Sequence, residues 1–119
     1  MEKVGFNYKG KKIVLEAKKC GSLWSRFMGL MFRTKNTALL VFIFNKPTKT
    51  SIHSLFCPEF IAVWLDDKNR VVDIKRIESW GLNIKPKKSF KKLIEIPVNS
   101  KYKDIIKILG FKRDIIAIR

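Results

Sequence analysis

The feature that most constrains the fold is a run of seven residues with no polar member, at positions 38–44. The run is too short for a typical helix, and its bulky side chains favour a strand. Neither face of this strand carries a polar side chain that water could hydrate. Both faces must therefore be covered, as in the centre of a sheet. The run is also far below the ~20 apolar residues that a membrane-spanning helix needs.

Alternating polar and apolar residues predict further strands around this one. Residues 4–8 and 13–17 flank Lys9-Gly10, which predicts a β-hairpin with a tight turn. The polar residues 66–70 predict a second turn, between strands at 60–65 and 71–77. Further strands are predicted at residues 48–52, 93–96 and 115–118.

Two segments have helical spacing instead. The first carries apolar residues three, four and seven positions apart, at Trp24, Phe27, Met28 and Met31. The second begins at Asn99 or Ser100, places Tyr102, Ile105, Ile106 and Leu109 on one face, and stops at Gly110. The pattern predicts a mostly β (α+β) fold: a compact, small, barrel-like or two-layer antiparallel sheet of about seven strands with two short helices.

Composition narrows the class of protein. The 119 residues suffice for a single domain, residues 1–119, and 46% hydrophobic residues can fill its core. Two cysteines without a secretion signal predict free thiols in a reducing cytoplasm. The formal charge of +16 favours an anionic partner such as nucleic acid, an acidic protein surface or an anionic lipid headgroup. The alternative is that the charge reflects a lysine-rich proteome.

The sequence offers little for catalysis or metal binding. His53 is the single histidine, and with Cys57 it provides two metal ligands where structural zinc needs four. These two residues could instead form a base and nucleophile pair, although a structural role is favoured. Glycine-rich phosphate loops are missing as well. We therefore expect no metal and no cofactor, and a non-catalytic domain is favoured over an enzyme.

The densest positive charge falls in a predicted loop over residues 79–92. Its second half contains five lysines, namely Lys85, Lys87, Lys88, Lys91 and Lys92. Lysines on a loop can follow phosphates, and Phe90 or Trp80 could stack on a base. Arg26 is a further candidate anion-binding residue. The alternative for the segment is a solvated connector.

Residues 26–33, Arg-Phe-Met-Gly-Leu-Met-Phe-Arg, resemble the R-x-x-G-L-M-x-R signature of the family called domain of unknown function 192. The matching motif residues are Arg26, Gly29, Leu30, Met31 and Arg33. The resemblance continues over about residues 12–118, with Glu95 and Pro97 at the family's E-x-P element and Asp114 at its terminal Gly-Asp. It implies a compact, mostly β domain with short helices, and no established activity or cofactor.

Three functions are consistent with these features. The first is a non-catalytic domain that binds an anionic partner, with RNA or DNA foremost. The second is a small-ligand-binding protein or enzyme with a cleft near Arg26, His53 and Trp64. The third is a structural or accessory protein without a nucleic-acid role. The sequence leaves open whether the basic segments share one face of the domain, and it leaves the oligomeric state open too.

Overall fold

The computed structural model describes residues 2–20, 39–49, 51, 59–78 and 84–111. These residues form six strands: β1 (Glu2–Tyr8), β2 (Lys11–Cys20), β3 (Leu40–Thr48), β4 (Phe60–Leu65), β5 (Val71–Ile77) and β6 (Phe90–Pro97). A turn of 3-10 helix (Ser100–Tyr102) leads into the short helix α1 (Lys103–Ile108). The predicted mostly β class is confirmed.

The six strands make one sheet in the spatial order β1-β2-β3-β6-β4-β5. Neighbouring strands are antiparallel except β2 and β3, which pair in parallel from Lys18 to Cys20. The sheet curls into a half barrel. Its two outer strands meet at an isolated bridge between Asn7 and Arg70, so the predicted barrel-like architecture is also confirmed.

The first hairpin forms as predicted. Tyr8 pairs with Lys11, which leaves Lys9 and Gly10 as a two-residue turn. Their φ angles are 49° and 80°, the positive values that define a type I′ turn and match the twist of the flanking strands. Phe6 and Ile13 consequently lie opposite each other, both buried.

Strand β3 is central and carries a core on each side of the sheet. One side, here called the helix face, includes Val41, Ile94 and Ile96 and packs against Ile106 and Leu109 from the helical segment. The opposite side, here called the loop face, comprises Leu40, Phe42, Phe60, Ala62, Trp64, Ile77, Phe90 and Leu93. This two-sided burial explains why the strand contains no polar residue before Asn45.

The second predicted helix is present and is anchored at both ends. The Asn99 side chain accepts a hydrogen bond from the Lys101 backbone N–H at 3.0 Å. The Tyr102 hydroxyl accepts one from the Leu39 backbone N–H at 2.9 Å, which ties the segment to β3. At the other end Gly110 has a φ of 97°, and the Phe111 N–H donates to the Ile106 carbonyl, the pattern of a Schellman cap.

Two predicted boundaries are wrong. Residues 90–92 belong to β6 rather than to the loop before it, because Phe90 pairs with Thr48 and Lys92 with Ile43 and Leu65. Thr48 ends β3 instead of starting a new strand, since β3 extends past its apolar half along a bulge. The helix predicted around residues 24–31 and the strand predicted at 115–118 lie outside the described residues.

No helix within the described ranges is long and apolar enough to cross a membrane.

Candidate functional site

The lysine-rich segment before β6 is held in a defined position by β5. Its first five residues, 85–89, are here called the basic loop. The Lys87 backbone N–H donates to Asp73 Oδ2 at 2.9 Å, and Lys75 Nζ donates to the Lys85 carbonyl. Pro86, between these two anchors, is buried. The loop backbone is therefore attached to the sheet on both sides of Pro86.

The lysine side chains of the basic loop take no part in these anchors, which use the loop backbone. Lys85, Lys87 and Lys88 are exposed, and none of them forms an ion pair with the described part of the chain. The nearby carboxylate, Asp73, is buried and accepts backbone N–H groups from both Lys87 and Ile74. Positive charge is thus presented to solvent, while the negative charge beneath it is used to hold the backbone.

The two remaining lysines of the predicted cluster lie in β6 and are half-buried. Lys92 Nζ donates to Asn69 Oδ1 at 2.8 Å and so contacts the turn between β4 and β5. Lys91 occupies the preceding position in the same strand. The structure therefore brings three of the five lysines together on one loop and directs Lys92 toward a neighbouring turn.

Phe90 is not available to stack on a base. Its side chain is 1% exposed, and its ring packs edge-on against Phe44 and Trp64 at centroid distances of 5.3 and 6.4 Å. The expectation of a stacking role is wrong because β6 begins at Phe90, earlier than predicted, and the ring lies in the core on the loop face. An aromatic residue directly before an apolar strand was the available signal.

The bridge between Asn7 and Arg70 brings the ends of two hairpins to the same end of the sheet. One turn contributes Lys9, Lys11 and Lys12, and the other contributes Lys68 and Arg70. In the second turn Asp66 accepts hydrogen bonds from the Lys68 and Arg70 backbones, and its carboxylate pairs with the Arg70 guanidinium at 2.8 Å. Arg70 is partly neutralised there, whereas Lys9, Lys11, Lys12 and Lys68 are exposed and form no ion pair with the described residues.

Glu95 is a titratable residue buried within the sheet. It lies in β6 between Leu40 of β3 and Ala62 of β4, on the loop face. The residue is 7% exposed, and burial raises its pKa to about 8. No hydrogen bond or ion pair joins it to the described residues. The E-x-P element of the sequence resemblance thus places a carboxyl group in an apolar sheet.

A second buried polar group lies on the same face. Trp64 is fully buried, and its Nε1–H has no hydrogen-bond acceptor among the residues that the structure describes. Lys75 Nζ lies 5.8 Å from the centre of its ring and 4.0 Å from Asp73 Oδ2. Lys75 therefore contacts both the Lys85 carbonyl in the basic loop and the Trp64 ring on the loop face.

Several predicted site residues lie outside the described residues. They are Arg26, Gly29, Leu30, Met31, Arg33 and Asp114, together with His53, Cys57 and Trp80. Glu95 and Pro97 are both in β6, where they face the same side two positions apart. In the described ranges, no group of three or more histidine, cysteine, aspartate or glutamate side chains could hold a metal ion.

The sequence has clear relatives among archaeal proteins. It is 35% identical over 92 residues to a UPF0127 protein of Pyrococcus furiosus, which covers 75% of this chain and 78% of that protein. The chain belongs to the UPF0127 family. A UPF0127 protein of Thermococcus kodakarensis is 38% identical over 93 residues, equal to 76% of this chain and 59% of the relative. No family profile matches the sequence.

Two solved structures share the fold of this UPF0127 protein. A protein of unknown function from Novosphingobium aromaticivorans superposes with a TM-score of 0.73 at 16% identity, over 92% of this chain and 79% of that one. A protein from Sinorhizobium meliloti, described as a candidate transcription regulator, gives 0.71 at 15% identity, over 91% and 84%. At these identities the likeness shows the fold alone.

Proposed function

We propose that this UPF0127 protein binds a polyanion, nucleic acid foremost, through the basic loop. The observation that carries the proposal is the anchoring of the loop backbone by Asp73 and Lys75 while Lys85, Lys87 and Lys88 stay exposed. An anchored loop holds its charges close together before the ligand arrives, so less conformational freedom is lost on binding. A loop that served only as a solvated connector would not need a buried carboxylate to hold its backbone in place.

The physics of the interaction favours a phosphate backbone. Each lysine placed near a phosphate releases condensed counterions, which makes binding strongly dependent on salt. The formal charge of +16 adds long-range attraction for any polyanion. Base stacking by Phe90 plays no part, since that ring is in the core, so the proposal predicts little preference among base sequences. The description of the Sinorhizobium meliloti neighbour as a candidate transcription regulator is compatible with this function.

The test compares two triple variants with equal charge. In the loop variant Lys85, Lys87 and Lys88 are changed to Gln, and in the control variant Lys101, Lys103 and Lys107 are changed to Gln. All six side chains are exposed, and each variant removes three charges from +16 to leave +13. The control lysines lie by the helical segment, which packs on the opposite side of the sheet from the basic loop.

Binding of a fluorescent single-stranded oligonucleotide is measured by anisotropy at several salt concentrations. We expect the loop variant to lower the slope of log K against log salt by about 2, from roughly 0.7 for each phosphate contact on a single strand. The control variant should change the slope much less. Equal losses in the two variants would show that net charge acts without a site. An absence of binding by the unaltered protein at low salt would end the proposal.

Two finer assignments belong with this proposal. The first is membership of the domain of unknown function 192, for which the G-L-M motif at residues 29–31 is the support. The second is a cytoplasmic location, which the two cysteines favour. Alkylation of freshly lysed cells followed by mass analysis would test the second, because a Cys20–Cys57 disulfide would contradict it.

A further inference from the structure

Basic residues from three separate parts of the chain lie around one strand, β5. The basic loop is attached to β5 through Asp73 and Lys75. The turn that precedes β5 carries Lys68. The first hairpin joins the same turn at the bridge between Asn7 and Arg70. The fold therefore gathers positive charge that is dispersed in the sequence.

The two turns beside the bridge present exposed lysines from defined backbone positions. These lysines are here called the hairpin patch and are Lys9, Lys11, Lys12 and Lys68. Lys9 lies in the type I′ turn, in which two positive φ angles set the course of the backbone. The Lys68 backbone N–H donates to Asp66 Oδ1 at 2.9 Å, which holds the second turn.

The acids of this surface oppose little of its positive charge. Within residues 7–12, 66–70 and 85–89 the acids are Asp66 and Asp67. The Asp66 carboxylate pairs with the Arg70 guanidinium at 2.8 Å and accepts backbone N–H groups of its own turn. Asp67 is exposed, and it faces the four lysines of the hairpin patch and the three of the basic loop. The surface therefore attracts polyanions.

The strand register gives the distance between the hairpin patch and the basic loop. Lys12 pairs with Asn7 in β1, and Asn7 is bridged to Arg70. Two strand spacings, about 10 Å, therefore separate Lys12 from Arg70. Asp73, which holds the Lys87 backbone, follows Arg70 along the chain at a distance of about 10 Å. The two displacements are roughly perpendicular, so the hairpin patch and the basic loop lie about 14 Å apart.

We propose that the polyanion is a nucleic-acid strand of at least about five nucleotides that contacts the hairpin patch and the basic loop together. Successive phosphates of a stacked strand are about 3.4 Å apart, so about four steps cover the distance between the two groups of lysines. This inference rests on the proposed function, since the basic loop is one half of the surface. Inorganic phosphate and single nucleotides reach only one half, so neither is the ligand that this surface fits.

Contact with two separated groups of lysines strengthens binding beyond what either group achieves alone. Once one half of the surface has bound, the other half meets the same strand at a high effective concentration. Each additional phosphate contact also releases counterions, which makes binding more sensitive to salt. A long strand should therefore show a steeper salt dependence than a strand that reaches only one half.

The experiment measures the binding of a fluorescent trinucleotide and a fluorescent dodecanucleotide of thymidine by anisotropy. The stacked trinucleotide covers about 7 Å and reaches one half of the surface, whereas the dodecanucleotide reaches both. In the hairpin variant Lys11, Lys12 and Lys68 are changed to Gln, which leaves a charge of +13, equal to that of the loop variant and the control variant. In a matched variant the same three residues are changed to Arg, which keeps the charge at +16.

For the dodecanucleotide, we expect the hairpin variant to lower the slope of log K against log salt by about 2, from roughly 0.7 for each lost phosphate contact. The arginine variant and the control variant should keep most of the slope. For the trinucleotide, the hairpin variant should bind much more like the unaltered protein. The melting temperatures of all variants should be nearly unchanged, because exposed lysines contribute little to folding.

The possible failures are distinguishable. A hairpin variant that binds the dodecanucleotide as the control variant does would overturn the two-part surface, even if the loop variant still lost its share of the slope. Equal slopes for the two oligonucleotides in the unaltered protein would overturn it as well. A loop variant that behaves like the control variant would instead contradict the proposed function itself, and the inference with it.

Discussion

The Asp73 carboxylate accepts a hydrogen bond from the backbone N–H of Lys87 at 2.9 Å, across fourteen positions of the chain. The other oxygen of the same carboxylate accepts the Ile74 N–H at 2.9 Å. One buried acid thus fixes both its own strand and the basic loop. The position of the loop depends on this contact together with the one from Lys75 Nζ to the Lys85 carbonyl.

Replacing Asp73 by alanine should therefore affect both stability and binding. It leaves the Lys87 N–H without its acceptor and should lower the free energy of unfolding by about 1–3 kcal/mol. The loosened loop should also bind the oligonucleotide more weakly at low salt, although the net positive charge rises. Urea denaturation and anisotropy provide the two measurements. Asp67→Ala, which makes the same charge change in an exposed turn, is the control and should bind slightly more tightly.

Phe90→Ala should act on folding and leave any specific contact with nucleic acid untouched. The ring is 1% exposed and packs against Phe44 and Trp64. Truncation of such a buried aromatic should cost about 3–5 kcal/mol of unfolding free energy, and Phe90→Leu should cost less because it leaves a smaller cavity. A denaturation midpoint unchanged in Phe90→Ala would contradict the placement of this ring in the core.

The contrast between Phe90 and the first hairpin shows what the sequence could predict. Local patterns were sufficient where the structure is local: Lys9-Gly10 marks its own turn, and the spacing of Tyr102, Ile106 and Leu109 marks its own helix. Phe90 is buried by contacts with Phe44 and Trp64, which are far away in sequence. Its position directly before an apolar strand was the one local signal, and that position alone does not distinguish a buried ring from an exposed one.

For the candidate sites, too, contacts between residues far apart in the chain could not be predicted from the sequence. The cluster of lysines could be seen directly in the sequence, but the anchor at Asp73 could not, because it depends on β5 lying beside the loop. Glu95 could be singled out as part of an E-x-P element. Its burial, and its position beside Trp64, follow only from the insertion of β6 between β3 and β4.

Glu95 should make stability depend on pH in a defined direction. Its pKa is raised from 4.5 in the unfolded chain to about 8 in the folded protein, so between these values the folded state alone holds the proton. Stability therefore falls as pH rises through this window, by up to about 1.4 kcal/mol for each unit, and this contribution is flat above pH 8.

Glu95→Gln isolates this effect because glutamine has a similar shape and does not titrate. The difference in unfolding free energy between the unaltered protein and the variant should shift steadily toward the variant from pH 5 to pH 8. Urea denaturation at four pH values measures it. A difference independent of pH would mean that Glu95 is ionised in the folded protein over the whole range.

The turn of the first hairpin offers a stabilising substitution. Lys9 has a φ of 49° and Gly10 a φ of 80°. Asparagine tolerates the left-handed region better than lysine does, so Lys9→Asn should raise stability by less than about 1 kcal/mol. Gly10→Ala should lower it by about 1–2 kcal/mol, since a side chain with a Cβ is strained there. Melting temperatures that move the other way would argue against a type I′ turn.

The strand order has a consequence for how the chain reaches its native state. Strand β6 follows the other five described strands in sequence, yet it lies between β3 and β4 in space. As the protein is synthesised, β3 and the β4–β5 hairpin emerge with unpaired, apolar edges that wait for their shared neighbour. Pairing across so many residues is slow. We expect nascent or truncated chains that end before Phe90 to aggregate or to require a chaperone, while chains that include both β6 and the helical segment fold in one cooperative step.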